Sequence, residues 1–226
     1  MIKMIVFDMA GTTVDEDNIV YKTLQSAINE KGFDLDLDKV LEQGAGKEKL
    51  QAIKSILKTY AQNEDEKLAN DIYDRFLVLL KNAYATMDVF PQANAVELFQ
   101  SLKQKNILVV LNTGYNQETA AFLIEKLGWE KGTHFDGLIT ATDVQQNRPE
   151  PDMILLAMEK FDIDNASEVV KVGDSTIDIE EGQNAGCGIS VGITTGAHTY
   201  DQLLTANPDY IIDDLLDLLP IIEERN

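Results

Sequence analysis

Six short apolar runs punctuate the chain at residues 2–7, 107–111, 138–139, 169–172, 189–193 and 210–212, most of them closed by Asp, Thr, Gly or Asn. Continuous apolar runs of this length are what strands buried on both faces require. Between them stand segments of helical period at residues 93–104, 116–127, 151–161 and 179–185. Strand and helix in alternation predict an α/β fold, a doubly wound parallel sheet with helices on both faces.

One stretch interrupts the alternation. From about residue 17 to residue 87 the pattern is amphipathic and helical, at 20–31, 37–43, 48–60 and 66–84, with no strand. The expected organisation is therefore a core of residues 1–16 and 88–226 with a helical domain, residues 17–87, inserted after the first strand. Two crossings set close together make a hinge. The chain should close with a packed helix at 215–222 that contains Pro220.

Charge narrows the partners. The 226 residues carry 19 basic and 39 acidic side chains, a net charge of −20. That field repels nucleic-acid phosphates and anionic membrane surfaces, so neither is an expected partner. A lone Cys187 makes no internal disulfide and points to a reducing compartment. Only four apolar residues separate Lys3 from Asp8, too few for a signal peptide. The expectation is a cytoplasmic protein, monomeric or homodimeric.

In open parallel sheets, ligands bind beyond the carboxyl ends of the strands. Here the first strand is followed by Asp8-Met9-Ala10-Gly11-Thr12-Thr13, the second by Asn112-Thr113-Gly114-Tyr115, and the fourth by Gly173-Asp174-Ser175-Thr176-Ile177-Asp178. Asp8, Asp174 and Asp178 should converge there, and carboxylates so close repel unless a cation lies among them. Hard oxygen ligands suit Mg²⁺. Arg148, in a loop stiffened by Pro149 and Pro151, brings positive charge for an anionic substrate. Acid, metal, hydroxyl and cation together suggest phosphoryl chemistry.

Singly, each residue has an ordinary explanation, since an Asp after a strand usually caps a helix or makes an Asx turn. Gly44-Ala45-Gly46-Lys47-Glu48 is not a P-loop, because Leu41 and Glu48 occupy positions where that motif needs Gly and Ser or Thr. Cys187 has no histidine near it, and two histidines, His134 and His198, do not make a zinc site.

Taken in order, these segments resemble the haloacid dehalogenase superfamily. Asp8 with Gly11-Thr12-Thr13 is similar to its first motif, Thr113-Gly114 to its second, Arg148-Pro149 to its third, and Gly173-Asp174 with Asp178 to its fourth. The helical insertion resembles the family's C1 cap. The resemblance implies that Asp8 is a nucleophile forming an aspartyl-phosphate. It implies Mg²⁺ held by Asp8, the Ala10 carbonyl and Asp174, with Asp178 in support. Gly11, Gly44, Thr113 and Gly114 would bind the substrate and its phosphoryl oxygens, and Arg148 would neutralise charge where the family more often has Lys.

Ala10 departs from that pattern. Most family phosphatases place a second Asp there, whose loss should cost ~10² to 10⁴ in rate. The phosphonatase group has Ala, and uses a cap lysine that forms a Schiff base with an aldehyde. Lys47, three residues after Gly44, falls where that lysine is expected, with Tyr115 as a proton relay. Gln43 and Leu50 stand where that group is expected to have Met and His. The resemblance is thus to phosphonatase-like hydrolases acting on a small phosphonate or phosphate metabolite. Three alternatives stand beside it: a phosphoglycolate-type monoesterase with Lys47 as a substrate clamp, a non-catalytic phospholigand-binding module, and, ranked lower, a dehalogenase needing no metal.

Overall fold

The structure, a computed structural model, describes residues 1–225; residue 226 of the expected core lies outside the described residues. Six strands pair in parallel: β1 (Met4–Asp8), β4 (Leu108–Thr113), β5 (Gly137–Thr140), β6 (Val169–Gly173), β7 (Ile189–Ile193) and β8 (Tyr210–Ile212). Their order across the sheet is β5-β4-β1-β6-β7-β8. The chain moves from β1 to one side through β4 and β5, then returns to the other side at β6. That reversal opens a crevice at the carboxyl end of β1.

All five residues of β1 are buried. Met4 and Val6 join one apolar layer with Val110, Ile139 and residues of α7 (Asp152–Lys160), while Ile5 and Phe7 enter the opposite layer. Alternation along the strand thus feeds both faces of the sheet, as a doubly wound fold requires. Phe7 meets Phe99 of α5 (Ala95–Gln104) at 5.5 Å between ring centroids, and Phe99 meets Trp129 at 5.4 Å. The remaining flanking helices are α6 (Gln117–Lys126), α8 (Thr176–Asn184), the short α9 (Tyr200–Leu204) and α10 (Leu218–Arg225).

Two-residue strands β2 (Val14–Asp15) and β3 (Phe90–Pro91) pair antiparallel. Between them the chain forms α1 (Ile19–Asn29), α2 (Leu37–Gly44), α3 (Lys49–Ala61) and α4 (Glu66–Thr86). Carboxylates start three of these helices by accepting otherwise unpaired amides: Asp36 from Lys39, Glu48 from Leu50 and Gln51, and Asp65 from Lys67 and Leu68. The apolar cluster beneath them continues without a break from Phe7 and Phe99 to Leu24, Ile56 and Phe76. Among the described residues no helix is long and apolar enough to cross a membrane.

Candidate active site

The crevice at the end of β1 collects polar side chains from three neighbouring strands. Asp8 closes β1, Asn112 and Thr113 close β4, and Asp174 follows β6 directly. Asp178 lies in the first turn of α8, where its charge meets the positive end of the helix. Oxygen atoms of Asp8, Asp174 and Asp178 all lie within 4.8 Å of one another, and the three residues are buried.

Beneath them runs a network of paired charges. Arg148, 1% exposed, donates from Nη1 to Asp8 Oδ1 at 2.6 Å, from Nε to Glu181 Oε2 at 2.9 Å, and from Nη2 to Asn112 Oδ1 at 2.6 Å. Lys171 Nζ lies 3.0 Å from Asp178 Oδ1 and 3.1 Å from Glu181 Oε2, and donates to Asn112 Oδ1 at 2.7 Å. Asn112 Nδ2 in turn donates to both Glu181 oxygens at 3.0 Å. Buried charge is tolerated only when compensated this fully. Asp178 also accepts from Ser175 Oγ at 2.5 Å and lies 3.0 Å from Arg148 Nη1.

These partners split the three carboxyls. Burial and the Asp178 charge push Asp8 up to about 6, against the opposing pull of Arg148 and Lys171. For Asp178, burial is outweighed by Arg148 and Lys171, which hold the carboxyl low. Asp174 is driven well above the carboxylate range by burial and by the two neighbouring acids, against the opposing pull of the Ala197 amide and of its own. Among the described residues no lysine or arginine forms an ion pair with Asp174, which leaves an uncompensated carboxyl beside Asp8 and Asp178. A hard divalent cation fits that donor set.

The opposite wall is built differently. Gly46 lies on the turn between α2 and α3 with φ 71°, where a side chain would collide with Ile177 and Ser175. Its amide donates to Tyr21 Oη at 3.0 Å, and its carbonyl accepts from Arg148 Nη1 at 3.2 Å. Three residues on, Lys49 is 6% exposed; its ammonium lies 5.0 Å from the Tyr21 ring centroid and 5.4 Å from that of Tyr115, and donates to the Lys47 carbonyl at 2.9 Å. Burial pushes the Lys49 amine below its usual value, with Asp8 and Glu48 opposing the fall.

Lys47 and Gly44, named from the sequence, lie beside this wall in other surroundings. The Lys47 amine is half-buried and turns to Ser55 Oγ at 3.3 Å, while Gly44 ends α2 and packs on Ala52 and Ile56. The cause is the Glu48 cap, which starts α3 at Lys49 and leaves Lys47 on the turn. A second Gly-x-x-Lys, Gly46 to Lys49, overlaps the first by two residues, and it is this pair that faces the carboxylates.

The other expected residues gather at the crevice. Gly11 has φ 86° and presses on Asp174 so closely that any side chain there would strike it. Thr113 is buried and accepts from the Tyr115 amide at 3.2 Å, and Gly114 faces the Lys47 carbonyl. Tyr115 is buried with its hydroxyl 2.8 Å from that of Tyr84. Ala10 bridges to Val14 in the loop that follows Asp8. Among the described residues the Thr12 hydroxyl is buried without a partner. Glu16, Tyr21, Tyr84, Lys171 and Glu181 adjoin the site without having been singled out in the sequence. For Lys171 and Glu181 a charge within or beside a run of buried positions was the available signal.

Residues 5–191 match the family described as haloacid dehalogenase-like hydrolase. The chain is 30% identical to a phosphonoacetaldehyde hydrolase of Latilactobacillus sakei subsp. sakei, over 94% of this chain and 81% of that one. It is 27% identical to a phosphoglycolate phosphatase of Vibrio parahaemolyticus, over 98% and 96% of the two chains. The crystal structure of a phosphonoacetaldehyde hydrolase-like protein from Oleispira antarctica superposes with a TM-score of 0.85 at 24% identity, over 99% and 92%. With the family matched over most of its length, the chain belongs to the haloacid dehalogenase-like hydrolases.

Proposed function

We propose that this chain is a Mg²⁺-dependent phosphohydrolase that releases phosphate from a small phosphonate or phosphate metabolite through an aspartyl-phosphate on Asp8. The observation that carries the reading is the meeting of Asp8 with Asp174, Asp178 and Arg148 at one strand end, faced by the buried amine of Lys49. Helices α1–α4 act as a cap over this crevice. Mg²⁺ would be held by Asp8, Asp174 and the Ala10 carbonyl, with Asp178 near, and would supply positive charge against the phosphoryl oxygens.

Asp8 attacks phosphorus and displaces the leaving group, and water then cleaves the acyl phosphate. Arg148, fixed by Glu181 and Asn112, meets the charge of the transferred group. Gly11, Thr113 and Gly114 line the space for its oxygens. With Ala10 in place of a carboxylic acid, the leaving group must be stabilised otherwise. A substrate aldehyde offers the means: Lys49 Nζ adds to the carbonyl carbon and, with loss of water, forms a protonated imine. As the carbon–phosphorus bond breaks, its electron pair passes into the imine as an enamine, and the phosphoryl group passes to Asp8. The names of the relatives that act on phosphonoacetaldehyde support this class.

A second reading rests on the two rings beneath Lys49, which favour its charged form and suit a clamp on an anionic ester. Phosphate release from phosphonoacetaldehyde, with Mg²⁺ and with or without borohydride, separates them. Turnover abolished by borohydride and by Asp8→Asn supports the imine route. No release, alongside hydrolysis of 2-phosphoglycolate, assigns the clamp; no turnover of any phosphate compound overturns both.

A further inference from the structure

Glu16 is the buried acid that neither reading employs. It is 3% exposed, and among the described residues it and Asp174 are the buried carboxyls that no Lys or Arg reaches in an ion pair. It sits on the linker before α1, where Oε2 accepts from the Val20 amide at 2.9 Å and from the Tyr84 hydroxyl at 3.1 Å. Tyr84, near the end of α4, shares a 2.8 Å hydrogen bond with Tyr115, whose ring underlies Lys49. A chain of three groups therefore runs from the first linker, through the last helix before the second, to the wall of the site.

The proton count along this chain allows two arrangements. With Glu16 ionised, Tyr84 donates to Glu16 and Tyr115 donates to Tyr84, so Tyr115 presents lone pairs to the site. With Glu16 protonated, the carboxyl donates to Tyr84, Tyr84 donates to Tyr115, and the Tyr115 hydrogen is free for the site. Both phenols are kept neutral by burial, so the change passes along hydrogen bonds and no phenolate forms. We propose that Glu16 is a positioning residue that sets the direction of the Tyr84–Tyr115 hydroxyl chain and, with it, the charge held by the Lys49 amine. This rests on Lys49 being the lysine of the site and deepens the reading above.

Burial pushes Glu16 up to about 7, against the Val20 amide and the Tyr84 hydroxyl, so both arrangements are populated near neutrality. The groups facing Glu16 are Lys22, Tyr21 and Tyr84, with Lys49 and Tyr115 beyond; those facing Lys49 are Asp8, Glu48, Arg148 and the Tyr21 and Tyr115 rings.

The test is an NMR titration of the Mg²⁺-loaded full chain labelled with ¹³C-lysine, with the Lys49 Cε signal assigned by Lys49→Met. Glu16→Gln removes a negative charge while keeping a hydrogen-bonding side chain, so the Lys49 midpoint should fall by about half a pH unit or more. Tyr84→Phe takes a hydrogen bond from ionised Glu16, which then keeps its proton to higher pH. A smaller fall in the same direction is expected. Asp15→Asn, an exposed neighbour, should leave the midpoint in place. Coincident midpoints in wild type and Glu16→Gln, or a Lys49 that does not titrate before unfolding in either, overturn the proposal. The readout needs no substrate, so absence of an imine in a borohydride experiment would sink the reaction and leave this result standing.

Discussion

The two walls of the crevice solve burial in opposite ways. On the sheet side, Asp8, Asp178 and Glu181 are matched by Arg148 and Lys171, with Asn112 bonded to both cations and to Glu181. On the helical side, Lys49 rests on aromatic rings and Glu16 on a phenol, each without an ion-pair partner among the described residues. The paired wall fixes its side chains in place through shared cations, which suits the nucleophile proposed for Asp8. The unpaired wall leaves protonation open, which suits groups that must gain and lose protons during turnover.

Breaking the paired wall should have the largest effect. Arg148→Met leaves buried Asp8 without a cation and leaves Asp178 and Glu181 with Lys171 alone; it should cost about 3 to 5 kcal/mol of folding stability, read as a fall in Tm, together with loss of turnover. A variant with unchanged Tm would show that the network is not what compensates these acids. On the other wall, Lys49→Ala should keep the fold and lower kcat/KM toward an aldehyde phosphonate by ~10³ or more. Lys47→Ala should stay within about threefold, because its amine lies on Ser55. Equal losses in the two variants would erase the distinction between the lysines.

Glu16 sharpens the comparison through pH. Its carboxyl moves from 4.5 to about 7 on folding, so the native state binds more protons than the unfolded state between those values. Stability from this group is therefore present at low pH and lost as pH rises from about 5 to 7.5, by roughly 3 kcal/mol at most. Denaturant unfolding at saturating Mg²⁺ should show that decline in wild type and a flatter profile in Glu16→Gln; parallel profiles would deny the shift. Smallest is Tyr84→Phe, which removes one buried hydroxyl from the chain and should cost about 1 kcal/mol at neutral pH, measured the same way.

What could be read in the sequence followed physical range. Strands β1, β4, β5, β6, β7 and β8 were legible because burial on both faces demands continuous apolar residues. The two-residue β2 and β3 were not, since so short a ladder leaves no period. Asp8, Asp174 and Arg148 stood out because each follows a strand or lies in a stiff loop. Between the two lysines the sequence does not choose: Gly44 to Lys47 and Gly46 to Lys49 have the same spacing, and the Glu48 cap at the start of α3 sets which amine is buried. Asn112 was visible only as the polar end of the second run, and the links of Asn112 to Glu181 and of Glu16 to Tyr84 were not, because these partners lie 69 and 68 residues away.

The most direct measurement is peptide mapping by mass spectrometry after borohydride reduction of the protein during turnover of phosphonoacetaldehyde. A substrate-derived mass on Lys49, absent from Lys47, is the predicted result. A mass on Lys47, or turnover with neither lysine modified, would contradict the assignment of Lys49 to the chemistry.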